Sequence, residues 1–178
     1  MAKLSLGSAL FESSGANLVD APPGSIIQIQ HKYVTSTTQV TRAGSMAEIT
    51  TDLRIAFTPR SASSFLYFEF DAWYCCQDST HLQFARFYDV TNSLVPAAPP
   101  ANGSRDVVHW AMRTSDYDVN DFNMCNMRAV LQNTSTTART YTVHFRTEGV
   151  TVEFLSSTLS SASGVTAPMM FKITEVAT

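Results

Sequence analysis

The sequence predicts an all-β protein built as a two-sheet β-sandwich, jelly-roll-like, with an extended N-terminal arm. Three observations predict this class. Apolar residues alternate with period two in nearly every apolar segment. Turn clusters rich in Ser, Pro, Gly and Asn separate these segments, and the segments recur at intervals of about ten residues, which is typical of sandwiches. No segment has the pattern of an amphipathic helix of three turns.

Residues 1–23 are predicted to form an arm, and residues 24–178 the sandwich, which we call the head domain. Leu4 and Leu6 alternate as in an extended strand, and Pro22 with Pro23 forms a stiff stop. An unanchored terminus is one interpretation. The other is that the arm docks onto a partner through its scattered apolar residues, which are Leu4, Leu6, Leu10, Phe11 and Leu18.

The clearest strand covers residues 65–74. Leu66, Phe68, Phe70 and Ala72 share one face, and Tyr67, Glu69, Asp71 and Trp73 share the other. A strand that is bulky on both faces is covered on both faces, so we expect a neighbouring subunit on the second face. Further strands are predicted at 27–30, 34–41, 53–57, 82–88, 106–114, 123–132, 141–146, 150–155 and 169–176, with a short hairpin turn at 146–150.

Composition argues against several classes of partner. Charged residues make up 15% of the chain, Lys occurs only three times, and the net charge is −3, so nucleic acid is not expected to bind. A neutral surface rich in Ser and Thr suits contacts with sugars or proteins. No apolar run has membrane-spanning length, and the N-terminus lacks a signal-peptide core. We therefore expect synthesis in the cytoplasm and no membrane insertion.

The three Cys have no metal-ligand spacing. Cys75 and Cys76 are adjacent, and Cys125 is remote. Packing as small apolar side chains is the first interpretation. A disulfide from Cys125 to one of the pair, or between subunits, is the second.

Several segments resemble the globular C-terminal domain of tailed-bacteriophage fibre proteins, especially those of phages of aquatic bacteria. The segments are GSIIQIQHKYVTSTT at 24–38, DLRIAFTPRSASSFLYFEFDAWY at 52–74, LQFARFYDVTNSLV at 82–95, LQNTSTTARTYTVHFRTEG at 131–149 and MMFKITEVA at 169–177. The resemblance covers residues 24–177. It rests on turns and strands, so it indicates a fold more specifically than a role.

The resemblance implies a homotrimeric jelly roll on the surface of a virion, made in the cytoplasm of the host. It implies a short tail fibre or fibre tip that attaches to host polysaccharide or another receptor. The arm would bind other virion proteins of the tail, the baseplate or the capsid. Fibre proteins of this kind usually carry a long stalk, and about 23 residues precede the domain here. That difference favours the alternative of a capsid cement or decoration protein.

Loops on a rigid sandwich are where recognition residues vary without unfolding the core. The candidate receptor loops are 95–105, 115–123 and 156–164. Within them the side chains best suited to hydrogen bonding and stacking are Asn102, Arg105, Tyr117, Asp118 and Asn120.

No catalytic motif is present, and no enzyme activity or cofactor is expected. His144 falls on the polar alternation of its strand. Glu69 and Asp71 share a strand face, which exposed alternation explains as well as a glycosidase pair does. The acidic segment 116–123 departs from an EF-hand loop at its sixth and twelfth positions, so a polar turn is favoured over a metal site.

Aromatic side chains allow two interpretations. They stack on sugars or anchor a protein contact, or they pack in the core or at a subunit interface. The residues concerned are Tyr67, Trp73, Tyr74, Trp110 and Tyr117.

Overall fold

The computed structural model describes residues 4–6, 9–11, 21–35, 38–41, 45–76, 80–100, 103, 106–115, 122–148, 151–154 and 168–178. These ranges contain strands and one short 3-10 turn, Thr51–Leu53. The strands are β1 Leu4–Leu6, β2 Ala9–Phe11, β3 Ile26–Val34, β4 Thr38–Thr41, β5 Ala47–Glu48, β6 Ile55–Phe57, β7 Phe65–Cys76, β8 Thr80–Asp89, β9 Trp110–Ser115, β10 Phe122–Gln132, β11 Arg139–Thr147, β12 Thr151–Phe154 and β13 Met169–Val176.

Two antiparallel sheets form the sandwich, and each is four strand positions wide. In the six-stranded sheet, β10 pairs with one edge of β7, and β13 and β12 share the other edge. Beyond them, β3 pairs with β13, and β4 pairs with β12. In the five-stranded sheet, β9 pairs with β8, β8 with β11, and β5 and β6 share the far edge of β11. This order is that of an eight-position jelly roll, as predicted.

The core lies between the inner faces of the sheets. The predicted faces of β7 are confirmed: Leu66, Phe68, Phe70 and Ala72 are fully buried. From the opposite sheet, the rings of Phe87 and Tyr141 lie 5.4 and 5.0 Å from that of Phe68. Each fully buried Phe contributes roughly 2–3 kcal/mol through the apolar area it removes from water.

The sandwich has two ends that bear on function. At the first, which we call the arm end, a Pro22–Pro23–Gly24 turn precedes β3; Gly24 has φ +84°, and its N–H donates to the carbonyl of Ala177 at 2.9 Å. The connections 58–64, 90–109 and 133–138 all begin at this end. At the opposite end, which we call the far end, β7 is followed by β8, β9 by β10, and β11 by β12.

Several boundaries differ from the predictions. The strands that flank residues 146–150 do not pair as the predicted hairpin, because β11 and β12 belong to different sheets. The segment 53–57 opens with the 3-10 turn, in which Thr50 Oγ1 accepts from the N–H of Asp52 at 3.2 Å. The predicted strand at 34–41 is split between β3 and β4, which pair with different strands. β9 begins at Trp110 rather than at 106.

Candidate interaction surface

The outer face of the six-stranded sheet is unusually apolar for an uncovered surface. Of the nine large apolar side chains that the described residues expose, seven lie on this face. They are Ile26, Ile29, Tyr33, Tyr67, Trp73, Met124 and Val130. Tyr67 and Trp73 are 39% and 43% exposed, so the prediction that both lie opposite the core-facing residues of β7 is confirmed.

Strand register arranges these side chains in rows across the sheet. One row near the arm end runs Val130, Tyr67, Thr174 and Ile29, from β10 to β3. A shallow groove of about 470 Å³ lies over it, and its lining includes Ile26, Tyr67 and Val130. A second apolar row, formed by Met124 and Trp73, lies nearer the far end.

Between the two apolar rows lies a ladder of charged side chains that neutralise one another. The Arg128 guanidinium binds Asp71 through two hydrogen bonds of 3.1 Å, and its Nε lies 3.3 Å from Glu69 Oε1. Lys172 Nζ pairs with the second oxygen of the Glu69 carboxylate. We call these four residues the outer ladder. Because each charge has a partner within the face, covering the ladder leaves no isolated charge buried.

The outer face of the five-stranded sheet is polar by comparison. Glu48 binds Arg54 through hydrogen bonds of 2.9 and 2.7 Å, and Thr142 Oγ1 donates to Glu48 at 2.7 Å. Burial raises the pKa of Glu48, but the hydrogen bonds from Arg54 and Thr142 outweigh it and leave the pKa below its ordinary value. His144 stacks on Tyr88 with ring centroids 4.0 Å apart. Of the exposed large apolar side chains on the described strands, this face carries Leu82.

The turn at 58–64 has a structural role. The buried Glu175 carboxylate accepts hydrogen bonds from the N–H of Arg60 at 3.0 and 2.9 Å, the N–H of Ser61 at 2.9 Å and the hydroxyl of Ser64 at 2.7 Å. Gln28 Nε2 donates to it at 2.6 Å. We call this arrangement the Glu175 cradle. Burial raises the pKa of Glu175, but these hydrogen bonds outweigh it and hold the pKa below its ordinary value.

The turn that begins at Asn133 meets the turn at 58–64. Asn133 donates from its side chain to the carbonyl of Ser61, and its N–H donates to the carbonyl of Ser64 at 2.8 Å. Ser135 Oγ accepts from the N–H of Thr137 at 3.0 Å, which closes the next turn. Both motifs therefore fix how the strands connect at the arm end.

Two other predicted aromatic candidates, Tyr74 and Trp110, belong to the core. Tyr74 is buried and donates to Gln83 Oε1 at 2.5 Å, and Trp110 packs edge-on against it with ring centroids 6.0 Å apart. Core packing is therefore the interpretation that holds for these two. Sequence reasoning missed Ile29 as a surface residue, because regular alternation in a strand at 27–30 puts Ile27 and Ile29 on the same face. A register shift at Glu175/Val176 leaves Ile27 unpaired, so Ile27 is buried and Ile29 exposed.

The predicted receptor-loop residues Asn102, Arg105, Tyr117, Asp118 and Asn120 lie outside the described residues, as does Leu18 of the arm. The described strands that flank the two loops place their starting points at opposite ends of the sandwich. The connection carrying Asn102 and Arg105 leaves β8 at the arm end, whereas the connection carrying Tyr117, Asp118 and Asn120 joins β9 to β10 at the far end. In the arm, Leu4 and Leu6 lie in β1, and Leu10 and Phe11 lie in β2, which pairs with β1.

The remaining chemical candidates are engaged in structure. Glu69 and Asp71 are ion-paired to Arg128. Cys125 is buried as a free thiol, and burial raises its pKa far above the ordinary value. In the described part of the chain, no group of three or more His, Cys, Asp or Glu side chains is placed to hold a metal ion. No described helix is long and apolar enough to cross a membrane.

The fold and the surface define a jelly-roll protein with one apolar outer face. No protein-family model matches the chain, and no curated protein matches it. Among solved structures, the chain is similar to a chain from the structure of the infectious bursal disease virus Gx strain, with a TM-score of 0.42, 10% identity and coverage of 100% of this chain and 47% of that one. The corresponding values for the Gt strain are 0.44, 10%, 100% and 43%, so this chain spans less than half of either chain.

Proposed function

We propose that this chain is a structural protein of a bacteriophage virion, a homotrimeric surface appendage that attaches the particle to its host as a short tail fibre or fibre tip. The apolar outer face of the six-stranded sheet carries the proposal. Four strand positions about 4.8 Å apart and eight residues of about 3.3 Å each give a face on the order of 500 Å². Seven exposed large apolar side chains on a face of that size, with the charges between them paired, mark an interaction site.

The two ends of the sandwich favour an attachment role. The arm enters at one end, and the connection with Tyr117, Asp118 and Asn120 leaves from the other. An arm that docks on the tail or baseplate would therefore point this connection away from the particle, where it meets host polysaccharide or another receptor. Three copies would strengthen a weak sugar contact through effective concentration.

The protein acts by binding in this proposal, with no catalytic step and no cofactor. The carboxylates that resembled a glycosidase pair neutralise Arg128 and Lys172 instead. The alternative is a capsid cement protein. The observation that favours it is the same apolar face, which would also let the molecule lie flat on a capsid lattice.

Electron microscopy of virions labelled with an antibody to this protein tests the proposal. Label at the tail tip is expected. Label spread over the head would establish the cement alternative, and virions without label would refute both.

Adsorption assays test the attachment end. Replacing Tyr117 and Asp118 by Ala in the virion should reduce adsorption to host cells while particle stability is unchanged. The matched control replaces Asn102 and Arg105 by Ala, in the connection that leaves from the arm end, and should leave adsorption unchanged. Equal effects of the two double variants would contradict the proposed orientation.

A truncation tests the arm. Deleting residues 1–22 should leave the head domain folded, because β3 begins at Ile26 after the Pro22–Pro23–Gly24 turn. The same deletion should abolish incorporation into particles, because the arm strands β1 and β2 pair with each other and with no other described strand. Circular dichroism and the protein content of purified particles are the two measurements. Normal incorporation of the truncated protein would refute the docking role.

A further inference from the structure

We infer that the outer face of the six-stranded sheet is the contact between copies of this chain, with the β10–β7 half of one copy packed against the β13–β3 half of the next around a threefold axis. The inference deepens the proposed function, since it rests on the proposed trimer and assigns its interface.

Charge distinguishes the two halves. The β10–β7 half presents one cation, Arg128, and two carboxylates, Glu69 and Asp71. The β13–β3 half presents Lys172, and its described outward residues include no carboxylate. The Lys172–Glu69 pair spans the two halves, so the β10–β7 half by itself carries one excess negative charge and the β13–β3 half one positive charge, although the whole ladder is neutral. A head-to-tail contact, in which different halves meet, brings opposite charges together in every interface of a closed ring.

Apolar side chains are also shared between the halves. Tyr67 and Val130 lie in the first half, and Ile26 and Ile29 in the second, all around the same groove. Because each half carries both a complementary charge and an apolar cluster, a second copy satisfies the whole face. A polyanion or an anionic lipid surface would meet the carboxylates of the first half.

The contact between two copies joins one half of the face from each, roughly 250 Å² per copy, so it removes about 500 Å² from water. That is a small contact taken singly, but a closed ring makes three of them, about 1,500 Å² together, which is the total for a specific protein contact. The outer face of the five-stranded sheet does not compete, because Leu82 is the exposed large apolar side chain that its described strands carry.

A designed disulfide tests the arrangement. Val130 and Ile29 occupy the same row but are separated by three strand spacings, from β10 through β7 and β13 to β3. That distance is about 14 Å within one chain. A disulfide requires Cα atoms closer than about 7 Å, so a bond between Cys at these positions joins two copies.

The experiment oxidises the full-length double variant Val130→Cys/Ile29→Cys and runs it on a non-reducing gel. A covalent trimer is expected. Each single variant is a control for bonds to the native cysteines and should remain monomeric on the gel. Both positions are exposed, so the fold should survive, and circular dichroism verifies this.

The outcomes separate the inference from the proposed function. If light scattering finds wild-type trimers and the double variant stays monomeric on the gel, the interface lies elsewhere and the proposed function stands. A covalent dimer as the final product would overturn the threefold arrangement. A wild-type protein that is monomeric at micromolar concentration would remove both the interface and the trimer of the proposed function.

Discussion

The Glu175 cradle and the outer ladder use the same carboxylate chemistry on one sheet in opposite ways. Glu175 is buried and accepts hydrogen bonds from two backbone N–H groups and two side chains. Glu69 is partly exposed and bridges Arg128 and Lys172. The cradle joins β13 to β3 and to the 58–64 turn, whereas the ladder leaves a neutral surface that another molecule can cover. Most of the cradle's donors come from the 58–64 turn, so that sequence motif accounts for the fold rather than for a role.

The largest expected effect separates the two carboxylates by stability. Glu175→Ala removes the acceptor shared by the N–H groups of Arg60 and Ser61 and by the side chains of Ser64 and Gln28, and we expect the free energy of unfolding to fall by about 3 kcal/mol. The matched variant Glu69→Ala should cost at most about 1 kcal/mol, because surface ion pairs are screened by water. Urea unfolding of both variants measures the difference. Equal losses would break the distinction between a structural cradle and an interaction surface.

The next prediction concerns how the stability contributed by Glu175 depends on pH. The folded-state pKa of Glu175 lies below its ordinary value of 4.5, so the unfolded chain takes up the proton first. The stability contributed by this carboxylate is therefore complete above that ordinary value and is lost as the pH falls through the folded-state pKa. Thermal unfolding as a function of pH should show a steeper acid loss in the wild type than in Glu175→Gln. Parallel profiles would show that the cradle does not hold an ionised carboxylate.

His109 provides a comparison in the opposite sheet. Its Nδ1 accepts from the N–H of Phe87 at 3.2 Å, and its Nε2 lies 3.0 Å from the carbonyl of Pro96, so the neutral ring clamps the 90–109 connection to β8. Burial lowers the pKa of His109 more than hydrogen bonds to the carbonyls of Ala97 and Pro96 raise it.

Stability from this clamp should be complete above pH 6.5, the ordinary pKa of the group, and should decline as the pH falls from 6.5 to the lower folded-state pKa. His109→Phe removes the hydrogen bonds of the ring, so its free energy of unfolding should be lower than that of the wild type by on the order of 1 kcal/mol at pH 7.5. The difference should be smaller at pH 5, because acid weakens the clamp in the wild type and the variant has no clamp to lose. Thermal unfolding at the two pH values measures it. A loss that grows on acidification would contradict the neutral clamp.

The smallest expected effect concerns the ladder in a single copy. Arg128→Gln should change the free energy of unfolding of the isolated chain by less than about 1 kcal/mol, and added salt should reduce the difference further. The same variant should weaken association, because it leaves the Asp71 carboxylate without its cation and the contact would then bury an unpaired charge. Urea unfolding and light scattering of the same variant measure the two effects separately. A large loss of chain stability would show that the ladder, like the cradle, serves mainly to hold the chain folded.

Much of the fold was accessible from sequence because burial imposes alternation. β13 was predicted with the observed bounds, and both faces of β7 were assigned correctly. Sheet membership was not accessible, since a period of two does not say which strand lies alongside; the mistaken hairpin at 146–150 follows from this. β5, with two residues, is too short to show any period.

The interaction surface was only partly predictable. The two-sided bulk of β7 indicated that Tyr67 and Trp73 face outward. Ile29 and Val130 join Tyr67 through strand register, which brings residues 29, 67 and 130 into one row. No local sequence pattern predicts that row. The Glu175 cradle was equally hidden, because its donors come from segments more than a hundred residues away in the chain.

The central claim is that another copy covers the outer face of the six-stranded sheet, and multi-angle light scattering tests it most directly. The variant Tyr67→Thr/Ile29→Thr removes two exposed apolar side chains of the face while keeping β-favouring residues. Leu82→Thr is the matched control on the opposite sheet. We predict that the wild type and Leu82→Thr have three times the 19.5 kDa mass of one chain, and that the double variant is monomeric and folded. A double variant that remains trimeric, or a Leu82→Thr protein that dissociates, would contradict the claim.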